Sequence, residues 1–287
     1  MANLKEIRNR ISSVESTMQI TSAMKMVSSA KLKRAQDAIV QLRPYANKLT
    51  EILVNLSETL DGSDGNPFSS ERDVKNILFV SITSNRGLCG GFNSNIIKQT
   101  SSLINNEYKN TKASIISIGK KSSEHCSKQG FNVISTHDDL YNKITFEAVS
   151  SIAESIMKTF IDGQFDKVVL VYNQFKNAAT QIVMSENYLP VETPKEENVS
   201  IGDYIFEPSK EEIVQELIPK SLKTQLFKAI LDSHASEHGA RMTAMHKATD
   251  NANDLKDDLT LFYNKARQAA ITGEILEIVG GAEALND

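Results

Sequence analysis

Read from Leu4 in alternating steps of three and four residues, the chain meets Leu4, Ile7, Ile11, Val14, Met18, Thr21, Lys25, Ser28, Leu32, Ala35, Ile39, Leu42, Ala46, Leu49, Leu53, Leu56 and Leu60. All but Thr21, Lys25 and Ser28 are apolar. An apolar heptad sustained this far marks a coiled coil, because an ordinary globular helix runs out of core within a few turns. At 1.5 Å per residue such a helix is roughly 85 Å long, too long for one small domain to bury. Pro44 lies inside it, off the seam, and is expected to kink or divide it.

A second heptad runs at the other end: Phe227, Leu231, His234, His238, Arg241, Met245, Ala248, Ala252, Leu255, Leu259, Phe262, Ala266, Ala269, Gly273 and Leu276. Two terminal heptad helices bury each other by antiparallel pairing. The texture between them differs. Turn residues GSDGNP follow Leu60, and apolar runs at 75–83, 113–118 and 167–173 then read as buried strands. A weaker strand is expected at 131–135, with helices at 93–107, 120–128 and 145–161. This alternation predicts a mostly parallel, doubly wound, Rossmann-like α/β sheet. Residues 180–189 add a strand, parallel or antiparallel, and 190–209 read as a loop with one short strand. The expected organisation is therefore a helix over 1–60, a linker over 61–73, an α/β domain over 74–208 and a second helix over 209–287.

Composition supports long helices: aromatics are 6% with no Trp, and 13 Gly and 6 Pro are few for a chain of 287 residues. The net charge of −4 is unevenly spread, since residues 1–50 carry nine Lys and Arg against three Asp and Glu. That basic stretch is either a solvated helix face or a collar for an acidic partner. It lacks interleaved aromatics, which argues against nucleic acid. Cys89 and Cys126 have neither C-x-x-C nor metal-ligand spacing, so neither a disulfide nor a zinc site is expected. No secretory leader is read at the N-terminus, and no apolar run approaches the ~18–20 residues of a membrane span. The expectation is a bacterial cytoplasmic chain with at most indirect membrane association.

Two segments resemble catalytic motifs. SNRGLCGGFN (84–93) lies between a strand and a helix, where a dinucleotide fold places its phosphate loop. It lacks the G-x-G-x-x-G order, and the chain has no P-loop, so the glycines read better as a tight turn with Arg86 offered to a partner. His234, Glu237 and His238 spell H-x-x-E-H, which some zinc peptidases use, but both histidines fall on the seam and no third ligand is spaced to join them. If the polar gaps of the two seams face each other, position numbers of facing residues add to about 265. Thr21, Lys25, Ser28, His234, His238 and Arg241 would then either stay buried and fix the register or, as the cost of burying so many unpaired cations favours, loosen the coil at one level and turn outward. The same register leaves residues beyond about 261 unpaired, although AITGEILEIVGGAEAL (270–285) is strongly apolar and calls for a sleeve from other chains.

These segments also carry a resemblance. Ile271-Thr272-x-Glu274-x-x-Glu277-x-x-x-Gly281-Ala282, together with GARMTAMHKATDNA (239–252), NKARQAAIT (264–272), residues 7–36, RPYA (43–46) and SNRGLCGGFN, resembles the gamma-subunit family of F-type ATP synthases over essentially the whole chain. The resemblance implies a central rotor stalk without catalytic residues, cofactor or metal. It implies a coiled coil inside a hexamer of alpha and beta subunits and a globular end on the membrane c ring beside the epsilon subunit. Such a complex sits at the cytoplasmic face of a bacterial inner membrane and makes ATP from proton flow. By position it implies partner contacts at Met24 and Lys25, a basic surface at Lys31, Lys33 and Arg34, and contacts at Arg267, Gln268 and Thr272. Arg86 and Arg241 join these as partner-contact candidates. The alternative class is a nucleotide- or metal-dependent enzyme on the α/β domain with a coiled-coil arm. Calorimetric titration of the purified chain with ATP separates the two: no micromolar binding is expected, and such binding would favour the enzyme.

Overall fold

The computed structural model describes residues 4–59, 67–70, 72–191 and 210–284. Its elements are α1 (Leu4–Thr59), β1 (Asn76–Ile82), α2 (Phe92–Ser102), β2 (Lys112–Ile118), α3 (Lys120–Lys128), β3 (Asn132–Thr136), α4 (Phe146–Ile161), β4 (Lys167–Phe175), β5 (Gln181–Leu189) and α5 (Lys210–Ala284). A π-helical turn, Leu103–Glu107, continues α2, and a 3₁₀ turn, Asp139–Asn142, precedes α4. Contacts group the chain into two compact units, Met1–Ser28 with Met242–Asp287, and Ser29–Arg241.

The larger unit contains a five-stranded sheet in the order β3-β2-β1-β4-β5. The first four strands are parallel, and β5 runs antiparallel to β4. Burial explains the order. In β1 every residue after Asn76 is buried, and six consecutive residues of β4 are buried, as expected of central strands covered on both faces. In β3 half-buried and exposed positions alternate, and β5 is mostly half-exposed, as befits edges. Ile77, Phe79, Ile115, Val169 and Val171 line one face with Ile96, Leu103 and Cys126. Leu78, Val80, Ile118, Val168 and Leu170 line the other with α4 and with Ile218, Leu222, Leu226, Ala229 and Ile230 of α5. Each such aliphatic side chain stabilises by about 1.5–3 kcal/mol when fully buried. α4 is capped by the Thr145 hydroxyl, which accepts from the Ala148 N–H at 3.3 Å.

Within this unit the α1 seam holds: Leu32, Ala35, Ile39 and Leu49 are buried, and Leu42 and Ala46 are half-buried. Pro44 does not divide α1, and Pro219 lies inside α5. Pro44 is exposed, so the carbonyl group it leaves unpaired one turn back can turn to water.

In the smaller unit α1 and α5 pair antiparallel through Arg8 with Tyr263, Glu15 with Lys256 and Thr21 with Thr249. These position numbers add to 270 or 271, which corrects the expected 265 by more than a turn. The expected α5 seam also drifts. Leu255 and Phe262 are 49% and 50% exposed, whereas Lys256, Tyr263 and Ala270 are half-buried. A straight helix rotates ~20° against a strict heptad every seven residues, and over several heptads the inward face passes to the next residue. The turn stretch up to Asn66, residues 192–209 of the expected loop, and Leu285 lie outside the described residues, as do the side chains of Leu53 and Leu56.

Two loops at the carboxyl ends of the strands press together. Thr83 N–H donates to the Ile118 carbonyl at 2.8 Å, and Gly119 follows with φ 99°. A Cβ at Gly119 would overlap the Thr83 backbone carbonyl. Gly119→Ala is therefore expected to destabilise the chain by about 3 kcal/mol or more, read from urea unfolding.

Candidate functional site

The loop after β1 is built to meet a helix. Ser84 Oγ donates to the Arg86 carbonyl at 2.6 Å, and Asn93 Oδ1 accepts from the Ser84 N–H at 2.9 Å. Leu88 and Gly90 take positive φ values of 63° and 58°, which folds the loop tightly. Its carbonyls at Arg86 and Gly87 face α5. Arg241 of α5 donates from Nη2 to the Arg86 carbonyl at 3.2 Å and from Nε to the Gly87 carbonyl at 3.3 Å. A phosphate requires donors, and this loop offers acceptors to a guanidinium. Cys89 and Phe92 pack on Ala240, and Ser236 Oγ donates to the Asn173 carbonyl at the end of β4 at 3.1 Å. The position where a doubly wound fold takes its ligand is thus occupied by the chain's own helix. Gly239 permits the approach: a Cβ there would stand 3.2 Å from the Ala178 Cα, tighter than ordinary contact.

Behind the clasp lies a buried polar cluster. Arg241 Nη1 donates to Glu237 Oε1 at 2.7 Å, with both side chains 9% exposed. Burial raises the Glu237 pKa, and the attraction of Arg241 only partly offsets it. His238 and His234 approach through their Nε2 atoms at 3.1 Å, and the Arg241 Nη1 stands 3.4 Å from His238 Nδ1. Burial first, then neighbouring cations, lowers His234 to about 4; burial, His234 and the cations lower His238 to about 3. The imidazoles are therefore neutral. This corrects the expectation that the polar seam residues turn outward: Thr21, Ser28, His238 and Arg241 are buried, and Lys25 and His234 are half-buried. Thr21 Oγ1 and Thr249 Oγ1 share a hydrogen bond of 2.8 Å, and the Arg241 charge meets a carboxylate and two carbonyls.

The other candidates are placed as follows. Met24 and Lys25 are half-buried in the smaller unit, and Arg267, Gln268 and Thr272 are exposed there. The Thr272 hydroxyl bonds back to the Gln268 carbonyl at 2.9 Å. In the larger unit Lys31, Lys33, Arg34 and Arg86 are exposed, and Lys33 pairs with Asp37 at 3.1 Å. Arg241 alone of the ten is buried and spends its donors internally. Among exposed apolar residues, Ile271, Ile275, Leu276, Ile278 and Val279 form a run, between 48% and 71% exposed. No helix among the described residues is long and apolar enough to cross a membrane. Cys89 and Cys126 are free and buried. Sequence reasoning missed Tyr141, whose ring stacks on His234 with centroids 6.0 Å apart. It lies far from the helix in sequence, and nothing in its local pattern marks it.

A model of the family described as ATP synthase matches residues 3–285. The ATP synthase gamma chain of Flavobacterium johnsoniae is 63% identical over 287 residues, covering 100% of each chain, and that of Christiangramia forsetii is 61% identical with the same coverage. Among solved structures, a chain of the central stalk and c-ring of Tetrahymena thermophila mitochondrial ATP synthase is similar with a TM-score of 0.59 and 27% identity, covering 80% of this chain and 99% of that one. A chain of the Euglena gracilis mitochondrial ATP synthase OSCP/F1/c-ring structure has the same fold, with a TM-score of 0.71 at 22% identity, covering 98% and 94%.

The clasp yields a test of its own. Arg241→Ala leaves Glu237 buried without its cation and is expected to cost about 3–5 kcal/mol in urea unfolding. Adding Glu237→Gln should recover part of that loss, because the unpaired charge is then gone.

Proposed function

The chain belongs to the gamma-chain family of ATP synthase, and from that premise we infer that it works as the central rotor shaft, coupling rotation of a membrane ring to conformational cycling of the catalytic subunits. The observation that carries this reading is the full-length family match. Two physical features support it. The ligand position of the sheet is filled by α5, which leaves the α/β domain a mount rather than an enzyme. The run from Ile271 to Val279 lies bare, as an axle end does when its bearing belongs to other chains.

In this reading segments 1–60 and 209–287 make the shaft, 74–208 the globular part, and 61–73 the linker. The chain supplies no catalytic group, and the chemistry belongs to its partners. A hexamer of alpha and beta subunits surrounds the shaft, and the globular part meets the epsilon subunit and the c ring. The whole lies at the cytoplasmic face of a bacterial inner membrane, and the chain touches that membrane only through the ring. Met24, Lys25, Lys31, Lys33, Arg34, Arg267, Gln268 and Thr272 serve as contacts to the hexamer, and Arg86 serves as a contact to a partner. Arg241, being buried, acts by holding the loop that bears Arg86. Apolar contact is non-directional, so a sleeve around Ile271–Val279 guides a turning shaft without locking it.

The basic residues provide the decisive test. The Lys31→Glu, Lys33→Glu, Arg34→Glu triple variant should alter folding stability by no more than about 0.5 kcal/mol per site, because these side chains are exposed. Assembled into the complex, it should hydrolyse ATP with proton pumping reduced severalfold. Normal assembly together with normal proton pumping and ATP synthesis would reduce the collar to a solvated face.

A further inference from the structure

The hydrogen-bond chain behind the loop has a fixed direction. A guanidinium only donates, so the 3.4 Å contact from Arg241 Nη1 requires a lone pair on His238 Nδ1. The proton of neutral His238 is then on Nε2, and it is donated to His234 Nε2 at 3.1 Å. His234 keeps its own proton on Nδ1. One N–H joins the two rings, and neither has room for a second proton. A proton added at His238 Nδ1 would face the guanidinium with two donors head to head. One added at His234 Nε2 would face the N–H of His238.

The surroundings reinforce this. Around the pair stand the cations Arg241 on α5 and Lys31 on α1, with Arg86 on the loop acting on Glu237. Among the described residues Glu237 is the carboxylate of the group, and its Oε1 is already taken by Arg241. Tyr141, from the 3₁₀ turn, stacks on His234 and buries its hydroxyl without a hydrogen-bond partner. The same guanidinium that meets His238 holds the Arg86 and Gly87 carbonyls.

We propose that the His234–His238 pair makes the Arg241 clasp on loop 84–91 acid-sensitive: uptake of one proton by either imidazole breaks the chain and frees the loop from α5. This device is separate from the shaft function and would operate in the chain alone. The sign follows from linkage. The closed form holds both imidazoles neutral, with values lowered to about 4 and about 3, and the opened form returns them to the ordinary value of about 6.5. The closed clasp therefore keeps its full advantage above about pH 6.5. Below that, opening grows about tenfold for each pH unit per imidazole that titrates.

Cys89 sits in the loop at 2% exposure, and Cys126, at 1%, lies in the core beneath Ile77 and Phe79 of the sheet. The full-length chain is pulsed with 4,4′-dithiodipyridine, which attacks thiols even in acid, between about pH 7 and about pH 4.5. Mass spectrometry reads each cysteine separately. In the wild type, labelling of Cys89 relative to Cys126 should rise about tenfold or more across this range. In the double variant His234→Gln, His238→Gln, whose amides do not titrate, the ratio should stay flat. In His238→Gln alone, which keeps His234, the rise should be smaller than in the wild type; His234→Gln is the single variant to use if His238→Gln leaves Cys126 unprotected at neutral pH. A flat ratio in the wild type, an equal rise in the variants, or Cys126 labelling that climbs in step with Cys89 would overturn the proposal.

Discussion

Everything in the larger unit depends on where α5 lies. Ile218, Leu222, Leu226, Ala229 and Ile230 bury against one face of the sheet, in one core with α4 and with Leu78, Val80 and Leu170. Further along the same helix apolar contact gives way to polar contact. Ser236 meets the end of β4, and Arg241 meets the carbonyls of the loop after β1. Apolar area supplies most of the energy, and the directional bonds fix the angle and depth at which the helix seats. A sheet ordered like a nucleotide-binding fold is thereby committed to carrying a helix.

The pairing of α1 with α5 in the smaller unit follows different physics. Its seam is narrow, and few residues there are fully buried: Ile7, Thr21, Ser28, Met245 and Ala252. Small and hydroxyl-bearing side chains let the backbones approach, and register comes from specific partners rather than bulk. Thr21 with Thr249, Glu15 with Lys256, and Arg8 with both the hydroxyl and the ring of Tyr263 pin it. Shifting the helices by a turn would separate all three pairs at once.

Much of this was legible in the residues. The α1 heptad predicted its buried face at every described position, because a pattern repeated so often leaves one solution. The strands at 75–83 and 167–173 were visible as apolar runs too continuous for an exposed edge. What escaped was non-local or cumulative. The α5 seam passes from Leu255 to Lys256 because a small angular mismatch accumulates, and no single residue marks the change. The polar seam residues were expected to face out because their burial is costly in isolation. The reading lacked their partners: a threonine 228 positions away for Thr21, and loop carbonyls more than 150 positions away for Arg241. Arg86 appeared in sequence only as a charge to offer, and the use of its carbonyl as an acceptor is invisible until the loop is folded.

The bare run from Ile271 to Val279 bears on how such a chain lives before it has partners. Five large aliphatic side chains, each about half or more exposed, are a surface that any other apolar surface can cover. A newly made copy waiting in free solution would associate indiscriminately through this end, with other copies or with unrelated chains. The cell must therefore match its supply to that of whatever chains cover this end, or shield the end meanwhile. An excess of this one chain would be more hazardous than a shortage, since a shortage only slows assembly whereas an excess leaves sticky ends unclaimed.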